Sequence, residues 1–529
     1  MSNNDLTKLL QYEGLTRRRF MQHAAALGIT ASAASLFWGQ SVQAAEPQKG
    51  GTFRLGIGHG STTDSLDPAT FENLYMQVVG STIYNCLTEV ANDGSLVPEL
   101  AESWEVTEDA KTWTFKLRSG VTFHNGKTMD AADVIASFQH HMGEDSKSGA
   151  KPIVEQITEI KADGDDKVAF TLKEGNADFP FIVSDYHLAI LPASEGKIDP
   201  TAGIGTGGYT VASYDPGVRT DLKRFENYWK PDRAHFDAAQ VLVIIDPAAR
   251  TNALTTGEID AMDRVDLKTA HLLKRNRNVK IEEVSGTQHY TFAMRCDIAP
   301  FDNNDVRLAL KNAIDREALV KTILRGHGVV GNDHPIGQSN RFHADDLEQR
   351  TYDPEKAKYH LKQAGLSELK VDLSAADAAF PGAVDAAVLY REHAAKAGID
   401  INVVREPNDG YWSNVWLKKP FCAVYWGGRP TEDWMFSTAY AKGVPWNDTH
   451  WDNDRFNALL IEARAELDED KRRQMYYEMQ ELCRDDGGTV IPMFANYVMA
   501  TSDKVEHDTL GANWSLDGFR CIERWWFAG

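Results

Sequence analysis

Between residues 411 and 451 stand six tryptophans: Trp412, Trp416, Trp426, Trp434, Trp446 and Trp451. An indole offers a flat apolar wall and one N–H donor, so such a density either builds a core or lines a pocket for a small organic molecule. Within it, Tyr425-Trp426-Gly427-Gly428-Arg429-Pro430-Thr431-Glu432-Asp433 follows a short apolar run. Glycines there let backbone approach a bound molecule closely, and Trp426 is the first candidate for a contact wall. Arg429 carries a planar guanidinium that can grip a carboxylate with paired hydrogen bonds, or pair internally with Glu432 or Asp433.

Other chemistry finds little support. Gly203, Gly205, Gly207 and Gly208 precede Tyr209 without forming a phosphate-loop or dinucleotide pattern, so no nucleotide cofactor is expected. His140 and His141 are adjacent and point to different faces of a helix, and no H-E-x-x-H occurs, so no metal is expected. Five cysteines form no C-x-x-C pair; Cys296 and Cys422 are left open as a disulfide or as buried thiols. A secreted hydrolase is the rival class, but no G-x-S-x-G elbow appears and nothing else signals catalysis. His59 and the Thr62–Asp64 loop, with Thr63 in its middle, either face a cleft or merely cap a turn.

The elements that must position these groups alternate strand, turn and helix. Gly51–Ile57 reads as a strand; Ala101–Glu105 and Thr112–Arg118 as a hairpin; Asp130 caps a helix through Phe138; Lys167–Leu172 and Gln240–Ile245 are strands, and Pro247–Thr256 is a helix. Asp305–Leu319 reads as one helix, and Asp454–Arg484 as two joined at Asp468-Glu469-Asp470. A mixed α/β protein with more than one set of layers follows from 529 residues.

Charge and targeting narrow the setting. A net charge of −21 repels phosphate backbones, which argues against nucleic acid. Residues 1–45 read as a twin-arginine signal peptide: Thr16-Arg17-Arg18-Arg19-Phe20, a mildly apolar run from Ala24 to Trp38, then Ala44-Ala45. The run is shorter than a bilayer-spanning helix and no cysteine stands at the cleavage point, so export to the periplasm without a lipid anchor is expected. Beyond it remain 52 basic and 75 acidic residues, a net charge of −23.

The block from Leu100 to Gly126, LAESWEVTEDAKTWTFKLRSGVTFHNG, resembles the signature of the family 5 extracellular solute-binding proteins, the oligopeptide- and dipeptide-binding receptors of ABC importers. Its companions occur in order: Asp64–Pro68, Ala132–Val134, Gly205–Tyr209, Phe225–Trp229, Leu254–Asp260 and Pro300–Arg316. The resemblance implies an α/β, two-lobed periplasmic binding protein fold of type II, in the large cluster with an extra subdomain in lobe I and the ligand cleft between lobes. It places lobe I at 46–286 (extra subdomain about 89–205), lobe II at 287–497, and a return to lobe I at 498–529. It implies a non-enzymatic, monomeric receptor that closes on a small molecule or peptide and presents it to ABC permease membrane subunits. A sensory or chaperone accessory is the third class.

Within that resemblance the ligand-binding candidates are Trp426, Gly427, Gly428, Arg429, Asp433, Trp412, Tyr209, Gly207 and Thr63, with Gly207 and Tyr209 near the interlobe crossover. Trp104, Trp113, Phe115 and Phe123 read as hairpin and core packing. One departure matters: peptide-binding members carry an aspartate three residues after the tryptophan, where it holds the ligand's ammonium group, and this chain has Arg429. Either Glu432 or Asp433 takes over that role, or the solute offers an anion. The alternatives to a peptide-like solute are an opine-like or sugar-acid conjugate, a betaine-like zwitterion, or a metal chelate.

Overall fold

The computed structural model describes residues 47–408 and 410–528, so the signal segment lies outside the described residues. An eleven-stranded mixed sheet runs through both lobes. Its spine is an antiparallel pair of long strands, Val279–Met294 and Thr489–Ser502, whose register slips between Ser285 and His289. On one side of that irregularity the sheet continues through Ala261–Met262, Thr52–Ile57, Ala238–Val243 and the hairpin Arg219–Arg224/Tyr209–Asp215; on the other through Phe421–Trp426, Leu369–Ala375 and Ile399–Arg405. The parallel pairs carry helical crossovers, such as Ala383–Ala395 between Leu369–Ala375 and Ile399–Arg405.

Separate apolar clusters fill the parts. One runs from Tyr290 to Ala495; a second joins residues 53–261 to Met499 and the C-terminal Val505–Trp525 segment; a third, from Leu87 to Ile190, fills an added unit. That unit is a four-stranded antiparallel sheet led by the hairpin Ala101–Val106/Thr112–Leu117, where Trp113, Phe115 and Leu117 alternate inward. The helix Ala131–His141 packs against it, with Asp130 and Asp133 forming a reciprocal capping box.

Most expected elements form near their expected bounds, and the differences have local causes. Asp305–Leu319 is two helices, Asn304–Asn312 and Arg316–Thr322, because Asp315 turns its carboxylate back to cap the second at the Ala318 N–H. Cys296 and Cys422 are free thiols, and burial pushes the Cys296 thiol up to about 11. His140 contacts Asp67 at 2.8 Å and His141 contacts Ser148 at 2.7 Å. Among the described residues no His/Cys/Asp/Glu group is placed to hold a metal, and no helix is long and apolar enough to cross a membrane.

A buried ion network fastens the added unit to the C-terminal segment. Lys230 Nζ lies 2.5 Å from Glu89, 2.8 Å from Glu99 and 3.0 Å from Glu523, while Arg520 and Arg524 close the ring on the same carboxylates. Lys230 holds its proton well above the usual lysine range because three carboxylate charges outweigh its burial. Lys230→Met leaves those carboxylates short of one cation, and denaturant unfolding should show a loss of about 3–5 kcal/mol. A loss under about 1 kcal/mol would mean that Arg520 and Arg524 suffice.

Candidate functional site

A cavity of about 810 Å³ lies between the lobes. The added unit contributes Val90, Asn92–Leu96, Trp104, Trp113, Asp178 and Phe181, and Asn513 joins them from the C-terminal segment; the facing wall is made by Gln338–Arg341, Arg429–Glu432 and Arg472. Thr287, on the long strand where the register slips, also lines it. This volume suits a small organic solute.

The lobes also touch each other around the cavity. Arg472, 2 % exposed at its side chain, sets Nη2 2.8 Å from Asp178 Oδ2, although its N–H is not aligned on that oxygen. The Ala177 N–H donates to the Arg464 carbonyl at 2.7 Å, and the Arg341 guanidinium lies 5.6 Å from the Phe181 ring centre. Thr287 Oγ1, Ser339 Oγ and the Asn513 side-chain oxygen line the cavity buried and without partners. Buried polar atoms of that kind are ones a bound molecule can satisfy.

Arg429 is the charged group left over. Its Nη1 donates to the carbonyls of Gly427 at 3.0 Å and Gly428 at 3.2 Å, and its own carbonyl accepts from Asn340. Among the described residues no carboxylate stands within ion-pair distance of it. Burial lowers its pKa, and the Tyr186, Asp185 and Tyr425 side chains partly offset that. The other two arginines on the wall are matched, Arg341 by Glu469 and Arg472 by Asp178.

Glu432 and Asp433 are both spoken for. The Phe342 N–H donates to Glu432 Oε1 at 2.7 Å, and Arg464 holds Asp433 at 3.0 Å and 3.2 Å. Neither pairs with Arg429, and Asp433 is not on the cavity wall. The structure therefore removes the internal-pair reading of Arg429.

The remaining sequence candidates divide. Gly428 is required by packing: a Cβ there would sit 1.3 Å from Thr287 Oγ1, so the crossing strand, not a solute, is what its missing side chain admits. Gly427 has room for a Cβ, which would touch only Arg429 Nη1, at 3.9 Å. Trp426 is turned away from the cavity, 6 % exposed, with its ring 6.2 Å from both Trp416 and Trp446. Trp412 is exposed on the same lobe, off the cavity wall.

Three candidates lie off the cavity wall. Tyr209 is fully buried in an apolar cluster, its hydroxyl donating to the carbonyls of Phe236 and Ile522. Gly207 packs on the end of the helix Leu74–Ile83, where a Cβ would meet backbone at 2.5 Å. Thr63 is exposed and hydrogen-bonds Ser61 within its own loop. Nearby His59 is held by Arg264, and burial with that charge lowers its pKa to about 4.

Sequence reading missed other wall residues. Trp104 and Trp113 line the cavity while also packing in the hairpin, so alternation identified only half of their role. Asp178, Arg341, Arg472 and Asn513 come from segments far apart in the chain, and no local motif marks them.

Residues 95–448 match the family described as bacterial extracellular solute-binding proteins, family 5 Middle. The chain belongs to that family. It is 28% identical over 451 residues to the dipeptide-binding protein of Escherichia coli K12, covering 77% of this chain and 83% of the relative. In fold it resembles the ABC transporter-associated periplasmic binding protein DppA from Helicobacter pylori, solved with the peptide STSA: TM-score 0.72, 24% identity, 91% of this chain and 99% of that one. It also resembles AgaA from A. tumefaciens R10, solved with agropinic acid: TM-score 0.72, 24% identity, 90% and 99% coverage. This chain has the two-lobed, mixed α/β fold of the periplasmic binding proteins.

Glu432 gives this family member a pH signature. Burial pushes its carboxyl from 4.5 up to about 7, with Asp178 adding to the effect. Between those values the folded state holds a proton that the unfolded state has released, so stability falls as pH rises from 4.5 to 7. Glu432→Gln keeps an acceptor for the Phe342 N–H and removes the slope; relative to wild type it should gain up to about 3 kcal/mol between pH 5 and 8. Parallel pH profiles in thermal unfolding would contradict this.

Proposed function

We propose that this protein is the periplasmic receptor of an ABC importer, capturing a small peptide-like solute between its lobes and handing it unchanged to the membrane permease. The observation that carries the proposal is the interlobe cavity with unpartnered polar atoms and one unmatched cation, Arg429, on its wall. Family membership and relatives named for dipeptide binding support the receptor role.

Arg429 directs the choice of solute. A guanidinium cannot hold an ammonium group; Asp433 is held by Arg464 off the cavity wall, and burial pushes the Glu432 carboxyl up to about 7, so neither matches the charge of the missing aspartate. The solute therefore presents a carboxylate or equivalent anion to Arg429. That fits a peptide bound by its acidic end, and equally the non-peptide acids represented by agropinic acid in the AgaA complex.

The remaining features of the proposal come from the sequence. The twin-arginine leader exports the folded chain, the absence of a cysteine at the cleavage point leaves it unlipidated, and it acts as a monomer without cofactor or catalytic step.

Calorimetry with trialanine and with trialanine amide tests this directly. Trialanine should bind one to one, the amide should bind more weakly, and solution scattering should show the lobes drawing together. Arg429→Ala should weaken trialanine by about 1.5–3 kcal/mol, the range for a hydrogen bond to a charged group. Equal affinity of the mutant, or of the amide, would remove Arg429 from solute recognition.

A further inference from the structure

Two charges on the cavity wall have no partner, and they are of opposite sign. The wall carries four carboxylates and three guanidinium groups. Asp178 is matched by Arg472 at 2.8 Å, and Glu469 by Arg341. Glu432 accepts from the Phe342 N–H at 2.7 Å, in a buried setting that pushes its carboxyl up to about 7. That leaves Arg429 on one wall and Asp93 on the other, too far apart to pair with each other.

Asp93 stands in a turn of the added unit, between the paired strands Thr88–Val90 and Leu96–Pro98. The Gly94 N–H closes the turn on the Ala91 carbonyl at 2.9 Å, and the Asn92 side chain ties it to the C-terminal segment by donating to the Thr509 carbonyl. Asp93 Oδ1 accepts from the Ser95 N–H at 3.0 Å and from the Ser95 hydroxyl at 2.6 Å. Those bonds hold its carboxyl below the usual carboxylate range, and among the described residues no cation stands within ion-pair distance of it. Capping the turn therefore uses one oxygen of Asp93 and leaves the other, with the charge, free.

Short contacts join this turn to the Arg429 loop. A Cβ at Gly94 would lie 3.5 Å from the Ser339 carbonyl oxygen, so the turn abuts the facing wall there. The next residue, Asn340, donates to the Arg429 carbonyl at 3.3 Å. Ser339 Oγ and the Asn513 side-chain oxygen are the neutral groups left without partners on this wall besides Thr287. The Asn513 oxygen accepts only, so an N–H or O–H donor in the solute satisfies it.

We propose that Asp93 binds the cationic end of the solute, which is a zwitterion lying with its anion on Arg429 and its ammonium group on Asp93. This rests on the receptor reading above and narrows it. A peptide held in this way has its amino end toward the added unit and its carboxylate on the Arg429 loop. Two fixed charges of opposite sign on facing walls set the direction in which a solute lies. They also select against a di-acid, because its second anion would meet the Asp93 carboxylate.

The test uses the mature chain and calorimetry with dialanine, trialanine and tetraalanine, which span roughly 7–14 Å when extended, and with their N-acetyl and N-succinyl forms. The best-bound length should lose about fivefold in affinity on acetylation, the upper range for an ion pair open to water, and more on succinylation, which brings an anion to that end. Asp93→Asn keeps an oxygen for Ser95 and removes the charge. It should weaken the free peptide about fivefold, leave the acetyl peptide within about twofold, and abolish the difference between acetyl and succinyl forms. Free and acetylated peptides of equal affinity, acetyl and succinyl forms of equal affinity in the wild type, or a free peptide bound equally well by Asp93→Asn overturns the inference. If the free peptide still binds and closes the lobes in that case, the receptor reading stands alone; if none of the three free peptides binds at about 1 mM, both fall.

Discussion

Two strands cross from one lobe to the other, and the rest of the molecule is arranged around that crossing. Val279–Met294 and Thr489–Ser502 hold each other by a long antiparallel ladder, which ties the lobes into one sheet, yet the ladder slips between Ser285 and His289. A regular ladder is stiff, and a slipped one bends more easily. The irregularity falls at Thr287, which lines the cavity. Gly428 belongs to the same arrangement, because only a residue without a side chain lets the binding loop lie over Thr287.

Electrostatics divides the cleft into matched and unmatched parts. Arg472 with Asp178, and Arg341 with Glu469, are complementary pairs, the first reaching from lobe II to the added unit. Such a contact exists only when the lobes are near each other, so it favours the closed form by whatever it contributes in net. Arg429 contributes nothing of this kind until an anion arrives. In the receptor proposed above, the differential interaction that a solute needs in order to shift the lobe equilibrium would be concentrated on that side chain and the partnerless polar atoms around it.

Much of this was legible in the chain, and the failures have physical reasons. The hairpin ending in Leu117, the capping box at Asp130 and the paired helices after Asn453 carry their signals locally and were readable. The helix expected through Leu319 broke because Asp315 suits a cap better than a helix interior. On the strand Phe421–Trp426, almost every residue is buried, so alternation gave no way to tell that Tyr425 faces outward and Trp426 inward. The resemblance puts Tyr209 near the interlobe crossover, whereas the apolar cluster packed around it decides where its side chain lies. Asp178 and Arg472 meet only through the tertiary fold, and one sequence holds no record of such a meeting.

The central claim is that an acidic solute rests between the lobes on Arg429. Native mass spectrometry of the mature protein, purified without refolding, measures that solute by its own mass. The account predicts one bound compound per chain, bearing a carboxylate or equivalent acidic group. A retained compound with no acidic group would contradict it.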